Sequence, residues 1–198
     1  MPTKSSTKMF DTRKLVTGAI LTALVIILQS LATFTTFFGP FSTALALIPI
    51  VIGAALCGPA ISTWLGFVFG VVVLATGNAA LFYSFDVPGT IITVLAKGAA
   101  CGFAAGIIFK LLNKWNETVA VIAASIVCPM VNTAVFLLGG AVFFMDSADQ
   151  IAETLKMNVS GMALFWALAM ANFLFEIGMN IVLSPTIVTL LNIRKKTN

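Results

Sequence analysis

Thr90–Phe109 reads TIITVLAKGAACGFAAGIIF. Its length is about the ~20 residues that a helix needs to cross a bilayer core. It carries one charge, Lys97, followed at once by Gly98 and then by Gly102 and Gly106. Residues four apart share one helical face, and small residues at that spacing let a second helix come close. A lysine inside an apolar span is costly, and it faces a partner, a cavity or a ligand rather than lipid. The rest of the chain is read for what Lys97 faces.

The composition sets the class. Of 198 residues, 60% are hydrophobic and only 9% charged. A water-soluble domain has no use for so much apolar surface, so the chain reads as an all-α integral membrane protein. It has no histidine, which excludes histidine proton relays and histidine metal sites. Cys57, Cys101 and Cys128 lie in apolar stretches at no metal-binding spacing and read as small packing residues. G-x-x-x-x-G-K-[ST], G-x-S-x-G and H-E-x-x-H are all missing. The expectation is a protein that is not an enzyme, with no cofactor, no metal and no nucleic-acid partner.

The apolar runs predict one membrane domain over 1–198, with six spans near 14–34, 42–57, 59–76, 90–112, 118–145 and 160–191. A polar segment, 1–13, precedes them and a basic tail, 192–198, follows. The first run is too long for a signal-peptide core and no A-x-A site lies between it and the next span, so it reads as a retained helix. Six spans place Lys4, Lys8, Arg13, Lys14, Lys110, Lys114, Arg194, Lys195 and Lys196 on one side. Asp86, Asp146, Asp149 and Glu153 fall on the other, with Lys156. The positive-inside rule then makes both termini cytoplasmic.

The expected external connections are distinctive. FTTFFGPFS (34–42) and TGNAALFYSFDVPGT (76–90) are rich in aromatic and turn residues. Phe37, Phe38, Phe82, Tyr83 and Phe85 read either as an interfacial aromatic belt or as a lid over a cavity open to the outside. In the lid reading, Phe82, Tyr83 and Asp86 are candidate substrate contacts. The third connection, 146–158, is acidic and has the composition of a short surface helix.

Away from the span ends, two carboxylate or amine side chains fall inside the spans, Lys97 and Glu176. They read either as a buried pair, each lowering the other's cost of leaving water, or as a ligand-facing lysine with a nearby carboxylate. Asn132 and Thr133 follow Pro129 in the fifth span, and Asn172, Glu176 and Asn180 share a face of the sixth. Buried amides commonly hydrogen-bond between helices. Their convergence also predicts a polar pocket in the C-terminal half, with Lys97, Asn132, Thr133, Asn172 and Glu176 as candidate substrate contacts. In the first span Ala19 and Ala23 form A-x-x-x-A, suited to packing inside the bundle or to docking a partner.

The residues carry a family resemblance. The chain has a basic R-K before the A-x-x-x-A helix and L-I-P-I-V-I-G-A-x-L-x-G-P from Leu47 to Pro59. It also has L-A-K-G in the fourth span and C-P-M-V-N-T in the fifth. In this order the motifs resemble the substrate-binding S component of an energy-coupling factor (ECF) vitamin transporter, in the subgroup with pantothenate- and riboflavin-type members. The resemblance implies a membrane subunit that binds one vitamin from outside and docks on a T component carrying two ATPase subunits. It assigns Ala19 and Ala23 to that docking. Pantothenate is the first choice of substrate, with its carboxylate on Lys97. Riboflavin or another vitamin is the alternative, as is a self-sufficient ion-coupled secondary transporter using Lys97 and Glu176.

Overall fold

The computed structural model describes residues 12–35 and 44–197. Among them every regular element is helical: α1 (Thr12–Thr35), α2 (Ala44–Cys57), α3 (Pro59–Ala75), the short α4 (Ala80–Tyr83), α5 (Val87–Leu112), α6 (Glu117–Phe143), α7 (Ala148–Thr154) and α8 (Met162–Thr197). Over its described residues, each of the six predicted apolar runs coincides with one helix of 14 residues or more. The acidic 146–158 connection does form a short helix, α7, introduced by a 3-10 turn at Met145–Ser147. The connection at 76–90 holds α4, which composition alone did not reveal.

Helix lengths differ in a way that matters for crossing a membrane. Among the described residues, 12–32, 87–112 and 117–143 are long and apolar enough to span. α2 and α3 have 14 and 17 residues, about 21 and 26 Å at 1.5 Å per residue. They meet at Gly58, whose φ of 91° is a left-handed conformation that glycine adopts without a Cβ penalty. Pro59 opens α3 at a position where its missing N–H costs nothing.

The exterior is apolar and the interior holds the polar groups. Ile20, Trp64, Phe103, Leu138, Leu174 and Val182 are all exposed, as expected for surfaces whose solvent is lipid. Gln29, Ser62, Thr90, Thr93, Ser125, Asn132, Glu176, Asn180 and Ser184 are buried. The main core joins α1, α2, α3, α5, α6 and α8. A second apolar cluster closes one end of the bundle: Phe144, Ala148, Ile151, Ala152, Leu164 and Phe165, with Phe82, Phe85 and Phe136 against them.

α5 is the central element, packed chiefly between α3 and α6. Its glycines explain how closely. A Cβ on Gly98 would run into the Gly66 carbonyl, one on Gly66 into the Gly98 carbonyl, and one on Gly102 into the Ser62 carbonyl. Gly106 meets Pro59 in the same way. The predicted glycine face is therefore a backbone-to-backbone seam between α3 and α5. It fixes the rotation of α5, and so the direction in which Lys97 leaves it.

Candidate functional site

Lys97 lies on the side of α5 that faces α6, beside a cavity. The cavity is lined by Val73 at the end of α3, Asn78 and Ala79 in the connection, and Phe82 on α4. α5 contributes Thr90, Thr93, Val94 and Lys97, and α6 contributes Phe136 and Gly140, with Phe144 just beyond it. The void is about 60 Å³, room for a few waters. A vitamin-sized molecule fits only if the surrounding rings move.

The cavity sits at one end of the bundle. Cys57 and the Lys14 carbonyl meet at the opposite end, where Gly106 also meets Pro59. α1 begins, α2 ends and α3 begins at that far end. The end of α3, the start of α5 and the end of α6 surround the cavity.

Aromatic rings form its wall. Phe82 meets Phe136 edge-on at 5.8 Å between centroids and Phe144 at 5.2 Å. Phe136 in turn contacts Phe165 at 6.3 Å. The Lys97 ammonium lies 5.6 Å from the centroid of the Phe136 ring, within cation–π range. α6 can carry these rings close to α5 because it has glycines opposite. A Cβ on Gly139 would collide with the Thr93 side chain, and one on Gly140 would lie 2.8 Å from the Phe165 ring.

Glu176 is placed differently. It is buried, and its Oε2 accepts a hydrogen bond from Asn132 Nδ2 at 3.4 Å. No ion pair joins Lys97 to Glu176 among the described residues, although the two lie within electrostatic reach of each other. Lys97 thus lines the cavity, while Glu176 hydrogen-bonds to Asn132.

Further along α8 the polar face continues. Ser184 Oγ donates to the Asn180 carbonyl at 2.8 Å and lies 3.0 Å from Ser125 Oγ on α6. This row ties α6 to α8 through buried polar contacts, a role for which the sequence also allowed. It does not line the cavity.

The predicted site residues therefore divide. Lys97 and Phe82 line the cavity. Asn132 and Glu176 pair with each other at the α6–α8 interface. Thr133 is partly buried on α6, and Tyr83 packs on the main core. Asp86 precedes α5, and its carbonyl accepts from both the Thr90 hydroxyl and the Thr90 amide. The Asn172 side chain lies outside the described residues, as do Phe37 and Phe38. Phe82 and Phe85 belong to a packed cap over the bundle end rather than to an exposed belt.

Sequence reasoning missed Asn78, Thr90, Thr93, Phe136 and Phe144. For the two threonines a signal existed. Thr90, Val94 and Lys97 recur at helical spacing, and Thr93 is one turn before Lys97. Phe136 and Phe144 are brought in by helix packing across a long sequence separation, which no local pattern announces.

The docking candidates are also resolved in position. α1 turns Gly18, Leu21, Val25, Gln29 and Ala32 inward, and Gly18 packs on Ile61. Ala19 and Ala23 are exposed on the outward side. Among the described residues, nothing packs on the A-x-x-x-A face.

Comparison with known families agrees with this architecture. Residues 13–188 match the family model described as ECF transporter, substrate-specific component. The chain belongs to this family. It is thus a substrate-specific membrane subunit of an ECF transporter, a family of transport subunits. As an S component it takes a small-molecule substrate and works with a T component and an ATPase module. No curated protein matches the chain.

Proposed function

We propose that this S component binds a carboxylate vitamin, pantothenate in the first instance, in the cavity beside Lys97. The observation that carries the reading is the Lys97 ammonium itself. It stands at the cavity wall over the Phe136 ring, and among the described residues no carboxylate is paired to it. A buried charge in an apolar bundle with no ion-pair partner is suited to receive an anion, and a charge-assisted bond there is about twice as strong as a neutral one. Six spans, with both termini cytoplasmic, put the cavity at the outer side of a prokaryotic plasma membrane, where substrate arrives. Phe82, on the four-residue α4, is the ring best placed to move aside for entry.

The ring-rich wall supports a second reading, in which the ligand presents a flat aromatic body such as that of riboflavin. The two are separated by mass spectrometry of whatever small molecule co-purifies with the chain, followed by titration of the emptied protein. Pantothenate binding in the submicromolar range is the expected result. Tight binding of riboflavin with none of pantothenate would reverse the order.

Docking on the T component, with its two ATPase subunits, is assigned to the outward face of α1 at Ala19 and Ala23. Replacing either residue by Trp places a large ring where another helix must come close. Vitamin uptake by the assembled transporter is expected to fall at least tenfold, while vitamin binding by the isolated chain stays within about twofold. Loss of binding with unchanged assembly would place the docking face elsewhere. Accumulation of substrate by the lone chain in liposomes, driven by an ion gradient, would instead favour a secondary transporter.

A further inference from the structure

We infer that Thr93 is the second anion-binding group of this cavity. Its hydroxyl and the Lys97 ammonium, one turn apart on α5, take the two oxygens of a single carboxylate. The ligand's apolar body then lies against Phe82, Phe136 and Phe144. The inference rests on the proposal that an anionic small molecule occupies this cavity, and it adds the residue that reads the shape of the anion.

Three observations converge on Thr93. It lines the cavity together with Lys97. It is 5% exposed, and its Oγ1 has no hydrogen-bond partner among the described residues. It also breaks the habit of its neighbours. Thr17, Thr22, Thr63, Thr76, Thr90, Thr154 and Thr189 each donate to the carbonyl four residues earlier. That local bond is the ordinary way for a helical hydroxyl to be satisfied. Thr93 does without it, and a buried hydroxyl left unpaired is costly.

Its position is set from the opposite helix. Gly139 leaves a notch that the Thr93 side chain fills, since a Cβ there would overlap both Cγ2 and Oγ1. A hydroxyl is a donor, and an ammonium carries three more. Together they match a planar carboxylate, which offers acceptors only. A neutral alcohol or amide in the same place loses the charge-assisted character of both bonds and keeps at most a weak, ordinary hydrogen bond to Thr93.

The test uses the purified full chain and matched pairs of ligands: pantothenate with panthenol, biotin with biotin amide, nicotinate with nicotinamide. Binding is measured for the unaltered chain, for Thr93→Val and for Thr93→Ser. Valine keeps the shape and removes the hydroxyl. For the carboxylate that binds, Thr93→Val is expected to weaken affinity about 10- to 100-fold, as for other hydrogen bonds to charged groups. Its neutral partner should change less than about threefold, and Thr93→Ser should recover most of the loss. Equal loss for both members of a pair, or no loss for either, overturns the Thr93 assignment alone. If none of the carboxylates binds the unaltered chain, the reading of the cavity fails and takes this assignment with it.

Discussion

Replacing Lys97 by Met is expected to weaken binding of a carboxylate vitamin by roughly 30- to 1,000-fold, about 2–4 kcal/mol, the cost of removing one partner of a buried charged contact. The matching neutral ligand should lose far less. Met keeps most of the side-chain length, so packing against Phe136 is largely preserved and the loss reports the charge. Because Asn132 holds the Glu176 carboxylate and no contact ion pair joins it to Lys97, a double-mutant cycle with Glu176→Gln separates the two roles. Coupling in folding stability below about 1 kcal/mol is expected, toward the low end of the range seen for interacting residues. Coupling of several kcal/mol would mean that Lys97 serves Glu176 first, and the case for a carboxylate ligand would fall with it.

Gly98→Ala is expected to have the largest effect on the fold. One added methyl group at this site meets the backbone carbonyl of Gly66, not a flexible side chain. Relief requires α3 and α5 to separate along the seam, which also carries Gly66, Gly102 and Gly106. Overpacking of a close-packed interior typically costs about 1–3 kcal/mol, and a rigid backbone partner puts this case at the upper end. The readout is thermal unfolding of the purified chain, with vitamin binding measured alongside, because Lys97 is the adjacent residue. Gly178→Ala is the control. Among the described residues nothing lies within 4 Å of a Cβ there, and alanine is the better helix former by about 0.8–1 kcal/mol. Its melting temperature should hold or rise. A stable Gly98→Ala chain with normal binding would show that α3 and α5 are not in backbone contact.

The same two residues show what was readable from the chain itself. Gly98, Gly102 and Gly106 announce a close helix contact through spacing alone, because a helix repeats its faces every three to four residues. They do not say which helix comes close. Lys97 announces a buried charge, because composition makes everything around it apolar. It does not say whether the answer is Glu176, a ligand or both. In both cases the local property is written in one segment and the partner in another.

Composition and hydropathy by themselves determined the all-helical membrane class and the approximate helix limits. Motif order supplied the resemblance to ECF S components, and the spacing of Ala19 and Ala23 marked a face of α1. Each of these depends on local periodicity or on residue content, which the sequence displays directly. The tertiary structure decided the rest. It paired Glu176 with Asn132, turned Ala19 and Ala23 outward, and set Phe136 and Phe144 beside Thr93 and Lys97. These outcomes depend on the rotation of each helix about its axis and on how near its neighbours come. Both are fixed by glycine notches meeting side chains and carbonyls far away in sequence, so the cavity exists only once α3, α5 and α6 are packed together.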